Sequence, residues 1–308
     1  MTDKLIIGTR GSQLALWQTN WVRSKLEACH PGILVEVKII TTTGDRVQNV
    51  SLPKLGEQGK GLFTKELEDA ILDNRIDLAV HSLKDLPTDF TAGLHIGAIC
   101  EREDVRDALV ARPGIESFEQ LPPGARVGTS SLRRHSQLLA VRPDLAIEPV
   151  RGNVDTRLRK LDEGQYDAIV LAAAGLRRLG RADRITQYLD ETLVLSAVGQ
   201  GAVAIESRRA DASTNRLIGA LNHEPTRLAC LAERTFLKGL SGGCLMPIAA
   251  LAKLEGGDLT LAGLVARPDG SEIVRATASG PMGDAASIGL RLASELLARG
   301  ADRLLADR

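Results

Sequence analysis

The sequence predicts an α/β fold of two doubly wound lobes followed by a small C-terminal α+β domain. Three observations carry this reading. Through the first two thirds of the chain, short apolar runs alternate with helical patterns, the mark of a largely parallel sheet covered by helices on both faces. The remainder changes character to two helical patterns, a hairpin and a terminal helix. A faint internal echo relates Ile7-Gly8-Thr9-Arg10-Gly11-Ser12 to Val127-Gly128-Thr129-Ser130-Ser131, each reading as a strand, Gly-Thr, then Ser at a helix start. At 308 residues the chain has room for two or three domains.

The elements follow in order. Leu5–Thr9 is an apolar run, and residues 12–28 repeat Leu14, Leu16, Trp17, Trp21, Val22 and Leu26 at helical spacing. Residues 34–40 alternate, with Val35, Val37 and Ile39 on one face. A glycine-bearing stretch, 41–61, has no period and is long for a connection, which suggests a functional lid or a mobile loop. A helix at 64–74 and a buried-type strand at 76–81 come next. Strands are then expected at 94–100, 108–112 and 126–128, and a helix from near Ser130 to before Pro143. A strand at 146–150, a helix at 154–163 closed by Gly164, and a strand at 167–172 complete the series. The final part reads as helices at 212–222 and 226–240, strands at 248–254, 259–265 and 272–278, and a helix at 284–299. The turn Arg267-Pro268-Asp269-Gly270 joins the last two strands.

Composition narrows the function. Basic and acidic residues number 39 each, so the net charge is zero, and aromatics are only 3%. A nucleic-acid partner is disfavoured, because such proteins carry a basic footprint and stacking platforms. No apolar run reaches the ~20 residues needed to cross a bilayer, and the start is too soon interrupted for a secretory signal. A cytoplasmic protein with no membrane partner is expected, and nothing demands more than a monomer. The four cysteines lack CxxC pairing and the five histidines lack HxxxH or HxH spacing, so no protein-bound metal is expected. Cys29, Cys100 and Cys230 fall in helix or strand patterns and read as small core residues.

Only ten basic residues are Lys, leaving 29 Arg, whose donor forks match carboxylate or phosphate. Their placement is informative. Arg133-Arg134 opens a helix, the wrong end for a cation by dipole reasoning, so a nearby anion explains them better than helix stability does. Arg151 precedes Gly152-Asn153, Arg157 lies one turn into the next helix, and Arg177-Arg178 follows a strand. These clusters sit after strand C-termini, where open α/β sheets bind ligands. Both Gly-Thr-Ser turns offer backbone N–H groups and hydroxyls at helix starts, and two such cradles on facing lobes would hold an anion. His81-Ser82-Leu83-Lys84-Asp85 places a carboxylate beside an ammonium at a strand end, fit for stabilising a cation or moving protons, or simply an exposed ion pair. Cys244, in Ser241-Gly242-Gly243-Cys244, is the only credible reactive thiol, as nucleophile or attachment point. No G-x-S-x-G, P-loop or helix-opening G-x-G-x-x-G is present.

These segments, in this order, resemble the porphobilinogen deaminase (hydroxymethylbilane synthase) family. The matching stretches are Gly8-Thr9-Arg10-Gly11-Ser12 with Ala15-Leu16-Trp17-Gln18, Gly59-Lys60-Gly61-Leu62-Phe63-Thr64-Lys65-Glu66-Leu67-Glu68, and His81 to Pro87. Gly128 to Arg134, Arg151 to Leu158, Ala197-Val198-Gly199-Gln200-Gly201-Ala202 and Gly242-Gly243-Cys244 complete them. Leu245-Met246 is more apolar than the family pattern, and the segment around Gly56 is about one residue longer than in some members. The resemblance implies lobes like those of periplasmic binding proteins, with domains at 1–100 plus 199–219, 101–198 and 220–308. It implies a dipyrromethane cofactor joined to Cys244 by a thioether, and a transferase that links four porphobilinogens head to tail with loss of ammonia to give hydroxymethylbilane. Asp85 would stabilise the cation left when ammonia departs. Arg10, Ser12, Lys60, Lys84, Thr129, Ser130, Ser131, Arg133, Arg134, Arg151, Arg157, Arg178 and Gln200 would hold cofactor and substrate. The rival is a non-enzymatic two-lobed binder of a small polycarboxylate, which would need neither Cys244 nor the third domain.

Overall fold

The computed structural model describes residues 4–46, 64–241 and 246–306. The chain forms two compact units, Met1–Glu103 with Ala202–Arg227, and Asp104–Gly201 with Leu228–Arg308.

The first unit is built on a five-stranded sheet. Strands β1 (Lys4–Thr9), β2 (Leu34–Ile39) and β3 (Leu78–Ser82) run parallel, with β1 between the other two. Strand β10 (Val203–Arg208) pairs antiparallel with β3 on one side and β4 (Leu94–Ile99) on the other, giving the order β2-β1-β3-β10-β4. Helix α1 (Gln13–Cys29) is capped by Ser12, whose hydroxyl oxygen accepts from Ala15 N at 3.3 Å. It lays Val22 and Leu26 against Leu5, Ile7, Leu78 and Val80, with α7 (Ala212–Gly219) contributing Leu217 and Ile218. A short helix α2 (Thr43–Arg46) precedes α3 (Lys65–Leu72), which covers the opposite face with Leu67, Ala70 and Ile71 over Ile76 and Ala79. Of the alternating residues expected on one face of β2, only Val35 is buried; Ile39 is 58% exposed, because β2 is the sheet's edge.

The second unit repeats this topology. Strands β6 (Arg126–Gly128), β7 (Ala146–Glu148) and β8 (Ala168–Ala172) are parallel; β5 (Asp107–Ala111) pairs antiparallel with β8 and with the two-residue β9 (Gln187–Tyr188). The order β7-β6-β8-β5-β9 matches the first sheet strand for strand. Helix α4 (Leu132–Val141) packs Leu138 on one face; α5 (Val154–Asp162) and α6 (Ala173–Arg178) pack Leu158, Leu161 and Leu176 on the other. The echo between residues 7–12 and 127–131 is thus two equivalent β1–α1 and β6–α4 turns. The sheets are largely parallel as expected, four strands of each running the same way; the fifth, β10 or β5, runs against both its neighbours, so half the ladders in each sheet are antiparallel.

The second unit also holds a meander of β11 (Ile248–Glu255), β12 (Asp258–Ala266) and β13 (Ile273–Pro281). Phe236 of α8 (Glu224–Gly239), Ile288, Leu292 and Leu296 of α9 (Ala285–Ala298), and Leu304 of α10 (Ala301–Ala306) bury one of its faces. Gly270 closes the β12–β13 turn at φ 75°, and a Cβ there would lie 2.5 Å from the Ser136 carbonyl oxygen of α4, so both conformation and space call for glycine. Among the described residues, no helix is long and apolar enough to cross a membrane.

Candidate functional site

In the first unit, the C-terminal edge of the sheet opens into a pocket. Arg10, Ser12, Gln18, His81, Ser82 and Asp85 line it, together with Leu14, Ala15, Thr64 and Val80. The two segments that carry it are consequences of the same sheet. β1 ends at Thr9 and delivers Arg10 and Ser12 onto the start of α1, while β3 ends at Ser82 and turns through a 3-10 segment, Leu83–Asp85. Leu83 is buried and its N–H donates to Ala202 O at 3.0 Å, which leaves Lys84 half-buried and Asp85 exposed at the rim. Gln18 Nε2 donates to Ser82 Oγ at 2.9 Å, tying α1 to β3 beneath the rim. Although Ser12 Oγ accepts from the helix, its O–H proton stays available to an anion. A cation, a hydroxyl and a carboxylate therefore share one pocket.

His81 lies at its base. The ring is 6% exposed, and Nε2 sits 3.0 Å from Glu206 Oε2, whose side chain is itself buried. Strand register explains the meeting: His81 is paired with Ala204 across β3 and β10, and Glu206 stands two residues on, on the same face.

The second unit shows a different electrostatic centre. Asp107, fully buried at the start of β5, is the anion that faces Arg133 and Arg134. Arg133 Nη1 donates to Asp107 Oδ2 at 2.7 Å and to Leu195 O at 2.8 Å. Arg134 donates through Nε and Nη2 to Asp107 Oδ1 at 3.0 and 2.7 Å, and through Nη1 to Val170 O at 3.0 Å. Gln200 Nε2 donates to Asp107 Oδ1 at 3.0 Å and Val105 O at 2.8 Å. Burial alone would raise the Asp107 pKa, but the two guanidiniums outweigh it and hold the carboxyl well below the usual range. The inference of an anion at the α4 N-terminus is met by the chain's own carboxylate. These donors of Arg133, Arg134 and Gln200 are directed inward.

Other predicted residues are differently placed. Ser130 spends its one O–H proton on Val150 O at 2.8 Å, and buried Thr129 accepts from Ser131 N. Ser131 is the N-cap residue of α4 but makes no side-chain cap bond. Arg157 Nε donates to Gly152 O at 2.8 Å and Arg178 Nη2 to Gly201 O at 2.7 Å. Arg151 is half-buried, and among the described residues its guanidinium has no partner. Lys60, Cys244 and most of the 41–61 stretch lie outside the described residues. Cys100 and Cys230 are buried as expected, but Cys29 is exposed, because it is the last residue of α1 and falls off the apolar stripe.

Sequence reasoning missed Asp107 and Glu206. Each is an acid set in an apolar strand, Asp107-Ala-Leu-Val and Val-Ala-Ile-Glu206, and a buried charge in such a run must have a partner.

Fold and site together define an α/β protein that presents cations and hydroxyls at strand ends, beside an exposed carboxylate. A family model for the porphobilinogen deaminase dipyrromethane cofactor binding domain matches residues 5–216, and one for the porphobilinogen deaminase C-terminal domain matches residues 227–298. The chain belongs to the porphobilinogen deaminase family. A protein named porphobilinogen deaminase from Syntrophotalea carbinolica is 53% identical over 305 residues, covering 99% of this chain and 96% of that one. Another of the same name from Pelobacter propionicus is 52% identical, covering 98% and 96%. Among solved structures, the L-cystine solute receptor of Neisseria gonorrhoeae is a looser likeness, 13% identical with a TM-score of 0.41, covering 79% of this chain and 95% of that one.

Proposed function

We propose that this chain is a transferase of tetrapyrrole biosynthesis that joins four porphobilinogen molecules head to tail. Each addition releases ammonia, and hydroxymethylbilane is the product. The observation that carries this reading is the first unit's pocket, where Arg10 and Ser12 stand with Asp85. Each porphobilinogen unit bears an acetate and a propionate, so the growing chain is a polyanion that needs guanidinium and hydroxyl partners. Loss of ammonia from the substrate's electron-rich ring leaves a cation, and a carboxylate fixed at the rim stabilises that charge where it develops. A merely binding protein has no use for such a carboxylate, and that reading is not favoured.

The pocket residues also fit a dipyrromethane cofactor. Arg10 and Ser12 suit its carboxylates, with Lys84 next to the rim in sequence, and Asp85 suits pyrrole N–H groups. When bound, the cofactor supplies the free pyrrole α-position at which elongation starts. We assign its attachment to a thioether at Cys244. In the second unit, Arg151 is the cation best placed to meet substrate carboxylates, with Arg157, Arg178 and Ser131 around it in sequence. Arg133, Arg134 and Gln200 act there through Asp107, holding the turn that carries Thr129 and Ser130. Domain divisions at 1–100 with 199–219, 101–198 and 220–308, a cytoplasmic location and a monomeric state complete the proposal.

Intact mass of the denatured protein, compared with Cys244→Ser, tests the cofactor and its anchor. An addition equal to two porphobilinogens less two ammonias is expected, and its absence from the variant. A wild-type chain that stays unmodified after incubation with porphobilinogen would overturn the reading. Asp85→Asn is expected to fold normally and lose nearly all ammonia release; substantial residual turnover would remove Asp85 from its role.

A further inference from the structure

The geometry points to His81 as a second proton-handling group of this pocket, with Glu206 as the residue that positions it; the inference rests on the reading above. His81 lines the pocket with Asp85, yet its ring is 6% exposed and fixed from behind by Glu206 at 3.0 Å through Nε2. Among the described residues Nδ1 has no hydrogen-bond partner. Glu206 is 1% exposed, and its other oxygen, Oε1, is buried with no partner.

With Nε2–H donating to the buried Glu206 carboxylate, the ring is held as the neutral tautomer whose Nδ1 lone pair can accept a proton, and the buried carboxylate gains its counter-charge when Nδ1 does so. Nothing in the first unit's core needs such a pair at the end of β3. Ala79 and Ala204, on the same face, show that small apolar residues fill this layer.

The coupling chemistry requires such a group. The C–N bond of the protonated aminomethyl group breaks, with its electron pair leaving on ammonia and the cation left on the substrate methylene. A C–C bond then forms between that carbon and the α-carbon of a second pyrrole. The α-carbon C–H bond breaks, its electron pair restores the aromatic ring, and the proton passes to His81 Nδ1. His81 then passes it to the ammonia already released, giving ammonium and restoring the neutral ring. Asp85 and His81 thereby divide the work, one facing the cation and the other taking the proton.

The test uses His81→Asn, Glu206→Gln and the double variant, reading cofactor content by intact mass, thermal unfolding, and kcat and KM for ammonia release. Wild-type cofactor content is expected in all three. For His81→Asn, kcat should fall on the order of 10²-fold, the range for loss of a positioned proton acceptor. Glu206→Gln is nearly isosteric and keeps an acceptor for Nε2–H, so it should lose kcat about tenfold with KM little changed. The double variant should be no slower than His81→Asn, since the two residues act as one unit. Wild-type kcat in any folded variant overturns the proposal, and if His81→Asn fails to fold, Glu206→Gln alone decides. A wild-type chain lacking both adduct and turnover would instead sink the functional reading, which this series separates from the His81 assignment.

Discussion

Asp107 decides what the paired arginines of α4 can do. It receives four hydrogen bonds, from Arg133, Arg134 and Gln200, with no exposure to solvent. Removing one member of such a buried set leaves the others charged and uncompensated, at a cost of about 3–5 kcal/mol. Asp107→Ala is therefore expected to lower the denaturant midpoint sharply, and Arg133→Leu to do the same through the orphaned carboxylate. Arg151→Leu should leave the midpoint within about 0.5 kcal/mol of wild type, as a surface change does, while impairing cofactor loading or elongation. Equal stability losses for Arg133→Leu and Arg151→Leu would contradict this division, as would unchanged kinetics in the Arg151 variant.

At the scale of elements, close approach is what cannot tolerate change. Gly289 of α9 crosses α8 so tightly that an added Cβ would lie 2.4 Å from Ala232 O and 2.9 Å from Phe236 N. Alanine has the better helix propensity by roughly 1 kcal/mol, but the atoms it meets are backbone and cannot swing aside. Gly289→Ala should destabilise the second unit by about 1–3 kcal/mol in chemical unfolding; a stabilised variant would show that the two helices slide apart freely. Elements of this kind were legible in the sequence where period and punctuation agreed, as in α1 behind Ser12 and α5 behind Asn153, whose side chains accept from Ala15 N and Thr156 N. Strand direction was not legible, because period-2 alternation is identical for parallel and antiparallel pairing; hence the orientation of β5 was missed, and β10 was not read as a strand at all. β9 is two residues long and α6 follows β8 without a break, so neither leaves a pattern to read. For the site, the motif runs around Arg10 and Asp85 marked the pocket, whereas Asp107 and Glu206 depend on partners 26 to 125 residues away.

The whole molecule should respond to pH in two stages. Its 39 acidic and 39 basic residues balance near neutrality, so self-repulsion is small there. Asp107 is held low by Arg133 and Arg134 against its burial, and Asp104 by its hydrogen bond to Arg106. In Asp211, burial works upward, but hydrogen bonds from Thr214 and Arg208 prevail and hold it low. Each takes up its proton at lower pH when folded than when unfolded. Below their ordinary values near ~4, the unfolded chain binds more protons, so stability falls as pH falls through that range. His135 is also lowered, by burial that outweighs the attraction of Asp269. Its loss has the same sign but starts earlier, once pH drops below its ordinary value of ~6.5. Denaturant midpoints measured across pH should hold level above about pH 7, decline gently from there and fall steeply below about pH 4. His135→Gln should remove part of the gentle decline and leave the acid limb in place. A variant curve parallel to wild type between pH 7 and 5 would show that His135 carries no linkage, while a wild-type acid limb unchanged in Asp107→Asn would show the same for the buried carboxylate at the centre of the second unit.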